Sequence, residues 1–145
     1  MVRKCIPLFF VLASIARGES CRDLNRRSCW HVVNKSTQNP LSINCTTWGG
    51  TPFNFGTSNI KANGGIYSEQ YNLSWGDGLG FPEPGINVSC EIRYPNRKAT
   101  LQFRTMDWGE RAKFEANERE VILTRKGWGR DSPVVREPMG PSSTT

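Results

Sequence analysis

The amino-acid sequence predicts an all-β chain, a small antiparallel β-sandwich stabilised by two disulfides. Three observations predict it. Apolar residues recur at every second position over most of the chain, four cysteines remain once an N-terminal leader is set aside, and no long amphipathic helix is available to cover a single sheet.

The alternation marks the elements in order. Leu41, Ile43 and Cys45 alternate with Ser42 and Asn44. Tyr67, Tyr71, Leu73 and Trp75 share one parity, with Glu69 as the exception. Ile86, Val88, Cys90, Ile92 and Tyr94 run unbroken against Asn87, Ser89, Glu91 and Arg93, and Leu101, Phe103 and Thr105 continue the pattern. Ala112, Phe114 and Ala116 alternate with Arg111, Lys113 and Glu115. That predicts an edge strand returning through Asn117-Glu118 to Val121 and Leu123, with a helix as the competing reading. Gly64-Gly65, Gly76-Asp77-Gly78, Pro82-Glu83-Pro84-Gly85 and Pro95-Asn96 supply turns. Six to eight short strands without a covering helix must form two sheets that cover each other.

The first residues give the compartment. Arg3 and Lys4 precede a twelve-residue apolar run from Cys5 to Ala16, and small residues Ala16 and Gly18 flank a cut after Gly18. This is the pattern of a secretory signal peptide over 1–18, too short to cross a bilayer as a helix. The sandwich is expected over 19–128. A Pro/Ser/Thr-rich segment without apolar period, 129–145, reads as a disordered tail. No later stretch is long and apolar enough to anchor the chain, so a secreted, extracellular product is expected.

The whole chain of 145 residues carries 19 Lys+Arg and 13 Asp+Glu, a net charge of +6. Cleavage after Gly18 removes Arg3, Lys4 and Arg17 and leaves 16 basic residues against 13 acidic ones, a net +3. That excess is too small for a nucleic-acid surface. A single histidine, His31, leaves no scope for a multi-His metal site, and CxxC pairs, GxSxG and P-loop motifs are absent. No cofactor, metal or catalytic residue is expected.

Cys21, Cys29, Cys45 and Cys90 allow three pairings. Cys45 and Cys90 both fall in phase with core residues, which favours a bridge between them and leaves Cys21 with Cys29. Four sequons begin at Asn34, Asn44, Asn72 and Asn87. Asn44, Asn72 and Asn87 lie on the parity opposite to the core, toward solvent, where a glycan fits.

Candidate contact residues are few. Four of the five tryptophans precede glycine, at Trp48, Trp75, Trp108 and Trp128. They read as strand ends followed by turns, or as an aromatic platform in which Trp75 and Trp108 face a partner. Arg22, Arg26 and Arg27 form a basic group suited to an acidic partner. Asp107 and Glu110, near Trp108, are the only compact acidic pair with a neighbouring aromatic, read as a surface turn rather than the carboxylate pair of a glycosidase.

From His31 to Trp128 the sequence resembles the plant self-incompatibility protein homologues. The likeness is carried by Val32-Val33-Asn34, Leu41-Ser42-Ile43-Asn44-Cys45, Gly65-Ile66-Tyr67, Tyr71-Asn72-Leu73-Ser74-Trp75-Gly76, Val88-Ser89-Cys90-Glu91-Ile92 and Leu101 to Trp108. The resemblance implies a secreted β-sandwich acting as a ligand or effector on a cell-surface protein or glycan, without catalysis. The alternatives are a membrane-active toxin and a small carbohydrate-binding module. An immunoglobulin-like domain is the nearest rival fold, but Val88 stands where its tyrosine is expected and no tryptophan follows Cys45 at a suitable distance.

Overall fold

A computed structural model describes residues 27–48, 55–72, 85–106, 110–127 and 132–142. These residues are all β, with no helix among them. The strands are β1 (Arg27–Asn34), β2 (Leu41–Trp48), β3 (Phe55–Ile60), β4 (Gly65–Asn72), β5 (Asn87–Tyr94), β6 (Arg97–Arg104), β7 (Arg111–Ala116), β8 (Glu120–Lys126), β9 (Val135–Pro138) and β10 (Gly140–Pro141). They form two five-stranded sheets, one in the order β4-β1-β7-β8-β9 and the other β10-β6-β5-β2-β3.

The expected alternation sets the inner faces. Leu41, Ile43 and Cys45 from β2, the alternate residues Ile86, Val88, Cys90, Ile92 and Tyr94, and Leu101 and Phe103 from β6 are buried against Trp30, Val32, Phe114, Val121 and Leu123 of the facing sheet. Trp30 lies at the centre, its ring centroid 5.7 Å from Phe55, 5.8 Å from Phe103 and 6.0 Å from Phe114. Full burial of an aromatic side chain contributes on the order of 2–3 kcal/mol, so this cluster ties both sheets to one interior.

Three features depart from the sequence reading. The 110–123 segment is a hairpin, as favoured, but β7 is a central strand and not an edge. It pairs with β8 antiparallel and with β1 in parallel, the one parallel pairing among the described strands. Small Ala112 and Ala116 on either side of Phe114 suit that crowded position. The second departure is β3, whose buried residues Phe55 and Ile60 differ in parity. Between its pairings with Ile43 and Leu41, β3 takes one more residue than β2, and this bulge turns both Phe55 and Ile60 inward. Gly56 belongs to the same close approach, since a Cβ there would stand 2.5 Å from the Ile43 carbonyl oxygen.

The third departure is the C-terminal segment. The expected disordered tail is instead paired over 135–141: β9 lines up on β8, and β10 on β6. Met139, 5% exposed, is the apolar anchor between them, and its N–H donates to the Arg119 carbonyl at 2.8 Å. A single buried side chain between two prolines fixes a stretch whose composition alone reads as unstructured. The chain thereby crosses from the edge of one sheet to the edge of the other. On the opposite flank the β3–β4 turn makes the same kind of crossing, with Asn63 and Gly64 in the left-handed region at φ 62° and 84°.

Asn34 closes one end of the sandwich. Its amide nitrogen donates to the carbonyls of Asn39 and Ile60, both at 2.9 Å. Its carbonyl oxygen accepts from the Ser36 N–H at 3.0 Å and the Tyr94 hydroxyl at 2.7 Å. The Tyr94 hydroxyl also lies 2.8 Å from the Ala116 carbonyl. Strands of both sheets and the β1–β2 loop therefore meet on one side chain. Ser36 continues the network, donating to Glu118 while accepting from the N–H of Gln38 and Asn39.

Replacing Asn34 by Ala leaves these partners buried without a substitute, and the expected loss is roughly 3 kcal/mol or more in urea unfolding. A second outcome concerns Glu118. The Ser36 hydroxyl and then the Asn39 amide hold its carboxyl below the ordinary value of 4.5. The folded state thus binds this proton more weakly than the unfolded state. Its stabilisation is present above that ordinary value and disappears as pH falls through the depressed one. Glu118→Gln should flatten this acid limb in unfolding curves recorded across the same range.

Candidate binding end

The strand register gathers the other end of the molecule. The start of β1 opposes the end of β4, Arg27 against Asn72, and runs beside the start of β7. The start of β7 opposes the end of β8, Arg111 against Lys126. In the second sheet the start of β5 lies between the ends of β2 and β6, Asn87 against Trp48 and Arg104. Contacts between Arg125 and Arg104, and between Glu110 and Met106, place these two sets of strand ends together.

All four Trp-Gly pairs and the arginine group follow or precede those strand ends. Trp48 is the last residue of β2, and Arg27 is the first of β1. Trp75 falls in the β4–β5 connection, Trp108 in the β6–β7 connection and Trp128 directly after Gly127. Trp75, Trp108, Arg22 and Arg26 themselves lie outside the described residues, as do the expected signal peptide and Cys21.

The base of this end is a buried ion pair whose acidic member sequence reasoning placed at the surface. Glu110, read as part of a surface turn, is fully buried, and Arg125 is 4% exposed. The Arg125 guanidinium stands 3.5 Å from the Glu110 carboxylate, donates to the Arg104 carbonyl at 2.8 Å, and rests over the Phe103 ring at 4.8 Å. The Ser132 hydroxyl donates to Glu110 at 2.7 Å and the Met106 N–H at 3.4 Å, while the Trp30 indole N–H donates to the Glu110 backbone carbonyl at 2.8 Å. Met106 and Glu110 bracket residues 107–109, and Gly127 and Ser132 bracket 128–131. One carboxylate therefore tethers the roots of both connections that carry Trp108 and Trp128. Burial pushes the Glu110 carboxyl upward, and Ser132, Arg125 and the Met106 amide pull it partly back.

Parity would have found this pair. Glu110 is in phase with Ala112 and Phe114, and Arg125 with Val121 and Leu123.

The expected Cys45–Cys90 bridge is present, joining directly opposed residues of β2 and β5 with Cα atoms 3.9 Å apart. Both residues are fully buried, as the phase predicts. The bridge lies within one sheet, unlike the intersheet bridge of an immunoglobulin-like domain. Its loop of 45 residues corresponds to about 4 kcal/mol in the chain-entropy model. Cys29 is buried on β1.

The sequons divide. Asn44 is exposed on β2 and lines an open recess of about 520 Å3 with Ser42, Thr57, Ser58, Glu69 and Glu91. Asn87 is half-buried at the start of β5, and Asn72 ends β4. Asn34 corrects the expectation: its amide nitrogen, the atom a glycan would occupy, is buried and already donates two hydrogen bonds, and Ser36 of the same sequon is 1% exposed. Asn34 is in phase with Trp30 and Val32, the signal that marks it as interior.

No protein-family model, no curated protein and no solved structure matches this chain. Among the described residues no group of three or more His, Cys, Asp or Glu is placed to hold a metal ion.

Glu110→Ala strands the Arg125 charge in the interior and should cost about 3–5 kcal/mol by chemical denaturation. The double replacement Glu110→Leu with Arg125→Met should recover most of that loss. Because the Glu110 carboxyl is raised, wild-type stability should fall as pH rises from 4.5 through the raised value, the reverse of the Glu118 limb.

Proposed function

We propose that this chain is an exported, non-catalytic ligand or effector that docks on a cell-surface protein or glycan through the end bearing the Trp-Gly connections. The observation that carries this reading is topological. Five connections or termini rich in tryptophan and arginine root at one end of a sandwich whose other end is closed by the Asn34 network. Binding residues concentrate on loops held by a rigid scaffold, and tryptophan and arginine dominate interface energetics.

The compartment belongs to the same proposal. An N-terminal leader over 1–18, a formed Cys45–Cys90 bridge and a second bridge from Cys21 to Cys29 fit an oxidising exterior. Glycans belong at Asn44, Asn72 and Asn87. The resemblance to plant self-incompatibility protein homologues supports the same class of role.

Purified exported protein should bind candidate host cells saturably, and Trp75→Ala or Trp108→Ala should each weaken binding by about tenfold without loss of fold. Absence of saturable binding, or variants indistinguishable from the parent, overturns the reading. Glycopeptide mapping of the same material should find Asn34 unmodified.

A further inference from the structure

The two sequons of the second sheet occupy facing positions on adjacent strands. Across β2 and β5, Cys45 opposes Cys90 and Thr46 opposes Ser89. Thr46 and Ser89 are the hydroxyl residues of the sequons that begin at Asn44 and Asn87. One pairing of strands, locked by one disulfide, therefore takes in both modification sites.

Each sequon is also paired on its far side. Asn44 opposes Gly56 of β3, and a Cβ on Gly56 would stand 3.1 Å from the Asn44 Cα, so the two backbones lie close there. Asn87 and Ser89 oppose Arg104 and Gln102 of β6. The side chains divide by parity. Asn44 and Thr46 are exposed and Asn87 and Ser89 half-buried, whereas Cys45 and Cys90 are fully buried on the opposite face. A glycan already attached to Asn44 or Asn87 consequently leaves the sulfurs free to meet. The reverse order fails, because an acceptor asparagine belongs to accessible, loop-like chain and not to the middle of a closed ladder.

Given the glycan placement proposed above, on which this rests, we propose that the Cys45–Cys90 bridge sets the glycan occupancy of Asn87 and not that of Asn44. In the first reaction the asparagine amide nitrogen displaces the pyrophosphate of a lipid-linked glycan at its anomeric carbon and loses one proton. In the competing reaction the two thiols give two protons and two electrons to the disulfide of an oxidoreductase, which leaves as a dithiol. The two sites differ in when the competitor arrives. Cys90 follows Cys45 by 45 residues, about 2–9 s of synthesis at about 5–20 residues per second. Asn44 thus stands open before the sulfur partner of its neighbour exists. Only two residues separate Asn87 from Cys90, so its opportunity and the closing bridge begin together. Asn72 ends β4 in the other sheet and is untouched by either. A glycan on Asn34 is incompatible with its buried, doubly donating amide, so exported chains are those that escaped modification there.

The test expresses the full chain with its leader in secreting eukaryotic cells and maps glycopeptides in cell-associated and exported protein together, so that a poorly exported variant is still read. In the parent, Asn44 should be nearly fully modified and Asn87 only in part. Cys45→Ala should raise Asn87 toward full occupancy with Asn72 unchanged, and Cys90→Ala should leave Asn44 at its parental level. Dithiothreitol given to the cells during synthesis should reproduce the rise at Asn87 in the parent. Leu123→Ala, which loosens the facing sheet without touching the bridge, should not. Full modification of Asn87 in the parent, no rise in Cys45→Ala, or an equal rise at Asn72 or in Leu123→Ala would overturn the proposal. Absence of glycans from Asn44, Asn72 and Asn87 alike would overturn the placement and this inference with it, whereas occupied sites that ignore the bridge overturn the inference alone.

Discussion

The buried amide of Asn34 is the constraint on which the rest of the sandwich depends. A primary amide has two donors and two acceptor sites, and here all four are used, by Asn39, Ile60, Ser36 and Tyr94. Apolar contact between two sheets is nondirectional and tolerates sliding. An amide that must meet β3 on one side and β5 on the other does not. It sets the depth at which β1 enters, and through β1 the height of its parallel neighbour β7. Lys35 repeats the lock with a backbone bond to the Ala116 carbonyl at 2.8 Å.

The two ends of the molecule consequently differ in kind. At the Asn34 end the connections are short and bonded to one another, as where the N–H groups of Asn63 and Gly64 donate to the carbonyls of Ser36 and Asn34. At the other end the polar network of Glu110, Arg125 and Ser132 is buried at the roots of the β6–β7 and β8–β9 connections.

Much of this was legible in the sequence wherever polarity and parity agree. β2, β5 and β6 present their apolar residues inward in the expected phase, and the Cys45–Cys90 bridge follows from that phase alone. The reading failed where the two signals conflict. Asn34 and Glu110 are polar residues on inward parity, read as a glycan acceptor and a surface turn although both are interior, and Arg125 shares that parity and is interior with them. Burial of such groups is favourable only with complete sets of partners, and those partners come from distant strands that no local pattern reveals. β3 escaped because its bulge breaks the period, and 135–141 because pairing to two sheets substitutes for a hydrophobic run. The contact residues proposed for docking, Trp75 and Trp108, were placed by sequence, while the convergence of their connections required the register of seven strands.

The crossing of residues 135–141 from one sheet to the other has a consequence for self-association. β9 covers the outer side of β8 and β10 that of β6, so one strap caps both sheets along the same flank. Bare strand edges are templates for pairing with another copy. Peeling this strap away uncovers two such templates at once, so its attachment guards the molecule against edge-to-edge aggregation.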